Sequence, residues 1–209
     1  MTDGYENQEA VRELFGLTFG AVEEYARMLA EEGELRGLIG PKEVDRIWSR
    51  HIVNCAVLLS FLPKRGTVMD VGSGAGLPGI VLAIARPDLE FRLVEIMERR
   101  CEWLVEVMER LGLDNVEVIR ERSENLKRAD RVEVVTARAV APLDKLLRIT
   151  SKLIAPGGQL LALKGRRAYD EVEKAETELR KRHLRATVEE VPSILDGEIT
   201  YVVKCTRIE

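Results

Sequence analysis

Residues Val68 to Ile80 read Val-Met-Asp-Val-Gly-Ser-Gly-Ala-Gly-Leu-Pro-Gly-Ile, an apolar run carrying an acid, then a glycine-dense turn, then the opening of a helix. Gly72, Gly74 and Gly76 stand where a chain turns tightly and lets a ligand approach its backbone, which a Cβ would obstruct. Pro78 in the first helical turn lacks only an N–H that would be orphaned there. A loop of this kind holds a nucleotide-like ligand at the C-terminal edge of a sheet. Gly74, Gly76 and Gly79 meet the dinucleotide pattern G-x-G-x-x-G, and Glu95, closing Phe91-Arg-Leu-Val-Glu95, follows at the spacing of roughly 20 residues expected of a ribose-binding carboxylate.

Further polar residues follow other apolar runs, where the open-sheet rule places ligand groups. Ser123 and Glu124 come after Val116 to Arg120; Ser123 reads equally well as a helix N-cap. Arg138 ends Val-Glu-Val-Val-Thr-Ala-Arg, an expensive place to bury a guanidinium without a partner, so it is expected to face the cleft. Lys164, Arg166 and Arg167 form a basic strip suited to phosphates. Arg50, His51 and Asn54 are expected to share a helix face turned toward the same region, and Trp48, Trp103, Phe61 and Tyr169 are the main rings available to stack a base.

The elements that must position these groups alternate. Gln8 to Glu32 and Lys42 to Phe61 have apolar residues at helical spacing, separated by the turn-like Gly33 to Pro41. Strands are predicted at Thr67–Val71, Phe91–Glu95, Val116–Arg120, Val132–Ala137 and Leu160–Leu163. Helices follow the glycine loop to about Ala85, then span Glu98 to Leu111 and Leu143 to Leu153, and a charged helix follows Lys164. Arg185–Val191 and Thr200–Thr206 are β-rich runs around Leu195-Asp-Gly-Glu198, predicted as an antiparallel pair. Such alternation predicts a mostly parallel sheet covered on both faces.

Composition is that of a cytoplasmic enzyme of one compact unit with an appendage. The 209 residues suffice to bury roughly 70% of the unfolded surface. No uncharged apolar run nears the ~18 residues of a membrane span, and Met1 to Glu13 lacks the basic and apolar regions of a signal peptide. Cys55, Cys101 and Cys205 are widely spaced without C-x-x-C, so neither a disulfide framework nor a metal site is expected. The net charge of −4 is uneven: residues 1–34 carry nine acids against two arginines, which leaves the remainder at +3. An acidic chain can therefore still present a basic face to nucleic acid.

Read from Asp70, the loop is D-x-G-x-G-x-G, which resembles motif I of the class I S-adenosylmethionine-dependent methyltransferases. That resemblance implies a Rossmann-like, seven-stranded mixed sheet, mostly parallel with an antiparallel edge strand. Residues 1–62 would form an N-terminal helical extension and residues 63–209 the methyltransferase domain. With Ile47-Trp-Ser-Arg-His51, Ala137-Arg-Ala139 and Ala162-Leu-Lys-Gly165, the chain resembles the RsmG family, the bacterial glucose-inhibited division protein B family, from about residue 35 to the C-terminus. Leu77-Pro78-Gly79 is the most specific part of the match. Where that family commonly has Asp-Ser after the Arg-His, this chain has Asn54-Cys55, and Leu38-Ile39-Gly40 stands for its Asn-Leu-Thr-like segment.

For these residues the resemblance implies methylation of N7 of a guanine in the 530 loop of 16S ribosomal RNA, a modification whose loss is associated with streptomycin resistance. S-adenosylmethionine would be the methyl donor and S-adenosylhomocysteine the product. Asp70, Gly72, Ser73, Gly74, Gly76, Leu77, Glu95, Ser123, Glu124 and Arg138 would contact the donor. Arg50, His51, Lys164, Arg166 and Arg167 would meet RNA, with Arg138, Lys164 and His51 nearest the chemistry. The partner would be 16S ribosomal RNA or the small ribosomal subunit, met by a monomer. The sequence has neither the Pro-Cys pair that cytosine-C5 methylation uses for covalent attack nor an Asn/Asp-Pro-Pro-aromatic stretch for exocyclic amines. Guanine N7 has a free lone pair, so no essential general base is expected. Three alternatives stay open on sequence: a methyltransferase for another RNA, protein or small molecule, a dinucleotide oxidoreductase, and a non-catalytic RNA-binding module.

Overall fold

Strands apolar on both faces require cover on both sides, and the helices between them supply it. The computed structural model describes residues 3–5 and 8–208. Seven strands, β1 (Thr67–Val71), β2 (Glu90–Glu95), β3 (Val116–Arg120), β4 (Val132–Arg138), β5 (Ile154–Lys164), β6 (Leu184–Pro192) and β7 (Ile199–Arg207), form one sheet in the order β3-β2-β1-β4-β5-β7-β6. The first five in that order are parallel. β7 runs antiparallel to both β5 and β6, so the C-terminal hairpin forms the edge with its antiparallel member one strand in and β6 outermost. Strand order reverses between β1 and β4, the switch point where open sheets of this kind bind ligands.

The helices are α1 (Glu9–Phe15), α2 (Phe19–Glu32), the single turn α3 (Asn54–Ala56), α4 (Gly79–Ala85), α5 (Glu98–Leu111), α6 (Leu143–Thr150), α7 (Ala168–Lys174) and α8 (Glu176–Lys181). Alternation along β1 sorts them: Val68 packs into one apolar cluster with α1, α2, α4 and α5, whereas Met69 and Val71 pack into a second with α6, α7 and α8. The extension before residue 62 is not a separate core, because Val11, Tyr25, Leu29, Ile47 and Trp48 share the first cluster with Phe91 and Trp103. Residue 62 marks a change of architecture within continuous packing.

Two expected helices take a different form. The stretch predicted from Gln8 to Glu32 is broken by a 3-10 turn at Gly16–Thr18, where Gly16 has φ +50°. The stretch predicted from Lys42 to Phe61 becomes a 3-10 turn (Val44–Arg46), a π-helix (Ile47–Val53), α3 and a further 3-10 turn (Val57–Phe61). The Asp3 carboxylate accepts the N–H groups of Trp48 and Ser49 at 3.1 and 2.8 Å, a cap from far along the chain that periodicity does not encode. β5 starts earlier than predicted, at Ile154, since Ala155–Gly158 form an irregularity between the pairings Val132↔Ile154 and Val134↔Gln159.

Helix α4 lies directly against the sheet. A Cβ on Gly79 would stand 2.3 Å from Leu93 Cδ2 and 2.9 Å from Asp70 Oδ2, so the first residue of α4 must be small. Gly79→Ala is expected to lower stability by about 1–3 kcal/mol, read from the urea midpoint; an unchanged midpoint would show that α4 can move away freely.

Candidate active site

The loop between β1 and α4 is closed by hydrogen bonds to its own neighbours. Gly72, Gly74 and Gly76 have φ of +71°, +57° and +101°, the left-handed region that favours glycine. The N–H groups of Gly72 and Ser73 go to Val94 O at 2.8 and 3.1 Å, and those of Gly76 and Leu77 to Ser73 O at 2.7 and 3.2 Å. Gly74 N–H goes to Glu95 Oε2 at 3.0 Å. Among the described residues, only the Ala75 N–H of positions 72–77 has no protein acceptor.

Asp70 and Glu95 divide the work at the two strand ends. Asp70 is buried and pairs in register with Thr136 of β4, whose hydroxyl donates to Oδ1 at 2.8 Å, while Oδ2 accepts the Gly79 N–H at 3.2 Å. It therefore ties β1 to β4 and α4. Glu95 accepts the N–H groups of Gly74, Ile96 and Met97, with Arg100 3.7 Å from Oε2. A carboxylate has about four acceptor positions, so one remains for a ligand hydroxyl. Ile96 and Met97, 46% and 38% exposed, give the strand end an apolar ledge that the sequence reading missed. Ser123 and Glu124 lie in a turn after β3, with the Glu124 carbonyl accepting from Lys152; the next helical element is the 3-10 turn Arg128–Asp130, capped by Lys127, so Ser123 is not a helix N-cap.

At the end of β4, Arg138 is held from behind. Its guanidinium donates to His51 Nδ1 and, at 3.2 Å, to Cys55 Sγ. An arginine donating to Nδ1 requires the ring proton on Nε2, which faces Glu43 Oε2 at 2.9 Å. The same Glu43 oxygen lies 3.1 Å from Arg50 Nε. Asn54 donates to Thr200 Oγ1 at 2.8 Å, tying the extension to β7. Asn54 and Cys55, the departures from the family pattern, are thus both engaged in the structure. Arg50 and Asn54 line the cleft, whereas His51 is buried behind it, so the three do not present one common face.

A cleft of about 1030 Å³ opens beside this cluster, at the C-terminal ends of β4 and β5 and against the hairpin. Arg46, Arg50, Arg138, Lys164, Arg166, Arg167 and Lys174 line it, against the acids Asp170, Glu171, Asp196 and Glu198. Arg46 was not singled out from sequence because nothing local marks its position. Lys164 is less free than its sequence context suggests: its ammonium donates to Ala141 O and Glu171 Oε2, both at 2.7 Å. Since Glu171 also accepts the Leu143 N–H at 2.9 Å, Lys164 holds the loop after β4. Among the described residues Arg166 and Arg167 are exposed and make no ion pair. Of the rings considered for stacking, Trp48 and Trp103 are buried and Phe61 packs against the core; Tyr169 is 53% exposed.

The cleft and the glycine loop meet at residues 139–140. Ala139 has φ +56°, a strained value for a residue with a Cβ, and Val140 lines the cleft while standing so close to Gly72 that a Cβ there would lie 2.9 Å from Val140 Cγ2.

Comparison with known proteins places this geometry. The family described as rRNA small subunit methyltransferase G (GidB) matches residues 19–198. The ribosomal RNA small subunit methyltransferase G of Thermobifida fusca is 48% identical over 208 residues, covering 100% of this chain and 87% of its own. That of Beutenbergia cavernae is 50% identical over 197 residues, covering 94% and 93%. Among solved structures, M. jannaschii TYW2 in complex with AdoMet superposes with a TM-score of 0.58 at 20% identity, over 77% of this chain and 78% of its own, a likeness of fold.

Two buried groups beside the site carry opposite pH dependences. Burial pushes the Asp70 carboxyl up from 3.8 to about 6, against the bonds from Thr136 and Gly79 that favour its charge. Burial, then Arg138, Arg50 and Arg46, push His51 down from 6.5 to about 3, so its ring is neutral at physiological pH. Asp70, raised on folding, contributes stability below pH 3.8 that is lost as pH rises through about 6. His51, lowered on folding, contributes stability above pH 6.5 that is lost as pH falls toward about 3. The two oppose each other across the shared window. Asp70→Asn is expected to steepen the loss of stability on acidification and His51→Gln to flatten it, in urea unfolding between about pH 4 and 6.5. Identical slopes in wild type and both variants would contradict these ionisation states.

Proposed function

The chain belongs to the rRNA small subunit methyltransferase G family, and on that premise we propose that it transfers the methyl group of S-adenosylmethionine to N7 of a guanine in the 530 loop of 16S ribosomal RNA. One observation carries the reading beyond family membership. A loop shaped for a nucleotide-like ligand and a cationic cleft wide enough for a nucleotide meet at Val140, on two sides of one switch point.

S-adenosylmethionine, when bound, supplies an electrophilic methyl group on a positively charged sulfur. Guanine N7 offers a lone pair without losing a proton, so the residues of this chain need only bind, orient and exclude water. The Ala75 N–H, the one free donor in its loop, suits the carboxylate of the amino-acid end. The remaining acceptor position of Glu95 suits a ribose hydroxyl, with Ile96, Met97, Ser123 and Glu124 toward the adenine. Asp70 and Ser73 support the loop from beneath, where the Ser73 hydroxyl donates to Asp70 O at 2.9 Å. Arg138 has five N–H donors, and those not engaged by His51 and Cys55 can grip an anionic group at the boundary of the two sites. Arg46, Arg50, Arg166 and Arg167 hold RNA phosphates. The protein works as a monomer in the cytoplasm in this reading; no described helix is long and apolar enough to cross a membrane.

The test is incubation with labelled S-adenosylmethionine and small ribosomal subunits lacking the modification, followed by mapping of the labelled nucleotide. Label on one guanine N7 is expected; label on an adenine or on ribosomal protein would overturn the acceptor. Arg166→Ala with Arg167→Ala is expected to raise KM for RNA and reduce the magnitude of its log–log salt slope by about 2, leaving the Kd for S-adenosylmethionine unchanged. An unchanged slope would remove the two arginines from the RNA interface. Arg138→Lys keeps the charge but loses the planar fork, and is expected to lower kcat/KM about tenfold or more; wild-type kcat/KM would show that Arg138 acts only as a charge.

A further inference from the structure

The carbonyl of Ala75 accepts two hydrogen bonds from elements distant in sequence. Tyr25 of α2 donates its hydroxyl at 2.9 Å, and Trp103 of α5 donates its indole N–H at 2.9 Å. Both side chains are fully buried. A carbonyl oxygen has two lone pairs, and here both are taken by buried donors on rigid helices. Across the same peptide plane, the Gly76 N–H goes to Ser73 O at 2.7 Å. Because the peptide unit is planar, fixing its oxygen and its N–H fixes the orientation of the whole unit. The preceding residue is held too, through the Gly74 N–H and Glu95. The unit Gly74–Ala75, which carries the Ala75 N–H, thereby lies between two anchored units, Ser73–Gly74 and Ala75–Gly76, and that N–H is the loop donor left for a ligand.

Ile80 and the Tyr25 hydroxyl together fill the space that Gly76 leaves, since a Cβ there would lie 2.6 Å from Ile80 Cγ1 and 3.0 Å from the hydroxyl. The part of α2 that meets the loop is held on the adjoining helix by a second tie: Arg110 of α5 donates to Glu24 Oε1 at 2.7 Å. The helices that carry the two donors are thus joined to one another next to the loop they hold.

We infer that Tyr25 is a positioning residue for the methyl-donor site: through the Ala75 carbonyl, the N-terminal extension sets the loop that binds S-adenosylmethionine. The inference rests on the methyltransferase reading and adds to it a role for a segment outside the nucleotide-binding fold. Tyr25 touches neither donor nor acceptor.

The test uses the full chain. Tyr25→Phe keeps the ring and deletes the donor, leaving Trp103 alone on the carbonyl. The Kd for S-adenosylmethionine, from isothermal titration well below Tm, is expected to rise about fivefold, the worth of one hydrogen bond, while KM for unmodified small subunits stays at the wild-type value. Trp103→Phe is expected to act in the same direction. The double variant, which orphans a buried carbonyl, is expected to exceed the product of the two single effects. An unchanged Kd in Tyr25→Phe would overturn the inference, as would a Kd rise that vanishes once corrected for the folded fraction. A parallel rise in KM for RNA would also overturn it, since that marks general loosening. Wild-type protein that binds S-adenosylmethionine but labels no ribosomal RNA would refute the proposed function and leave this inference standing.

Discussion

Backbone that lies under neighbouring elements cannot turn to water for hydrogen bonds, and much of the glycine loop, at Ser73 and from Ala75 to Leu77, is such a backbone. Unpaired buried N–H and C=O groups are costly, so five of its amides are satisfied by Val94, Ser73 and Glu95 and the Ala75 carbonyl by Tyr25 and Trp103. The partners come from β2, the loop itself, α2 and α5. Satisfying one loop therefore fixes how strands, helices and the N-terminal extension stand relative to one another. The close approach of α4 at Gly79 follows from the same need, because Asp70 reaches the Gly79 N–H only if the helix start sits on the strand end.

The second site is built by a related device with charge added. Arg138 enters the boundary between loop and cleft with a neutral histidine and a thiol behind it, and Glu43 beyond them balances the local positive charge. A protonated His51 would place a second cation against the guanidinium, which is why Arg138 and His51 coexist only with the ring neutral. Lys164 serves the same boundary from the far side by holding the loop after β4 through Ala141 and Glu171. What remains unpaired at the surface, Arg166 and Arg167 above all, is what an anionic polymer would meet.

The strands and the glycine loop were legible in the sequence because their signals are local: apolar runs, a glycine at each left-handed position of the loop, an acid near the end of β1 and at the end of β2. The mostly parallel sheet followed from the same alternation. Side chains whose meaning depends on distant partners were not legible. Asp70 and Glu95 read alike as strand-end carboxylates, yet the register with Thr136 makes one a buried tie, while the other keeps an acceptor position free. Trp48 and Trp103 read as possible stacking rings but are spent on packing; Trp48 stacks on Phe19 with ring centroids 6.0 Å apart. Lys164 read as a phosphate ligand because Glu171, its partner, lies on the next helix and looked like one more solvated charge. The π-helix was hidden because the Asp3 cap belongs to a segment far from it in sequence.

A preorganised loop with one donor left open is the claim on which the rest turns, and amide hydrogen exchange at residues 72–77 tests it most directly. In the free protein, Gly72, Ser73, Gly74, Gly76 and Leu77 are expected to be protected already and Ala75 to exchange first, with added S-adenosylmethionine slowing Ala75 more than its neighbours. Uniformly fast exchange along the whole loop, with protection appearing everywhere only on binding, would contradict it.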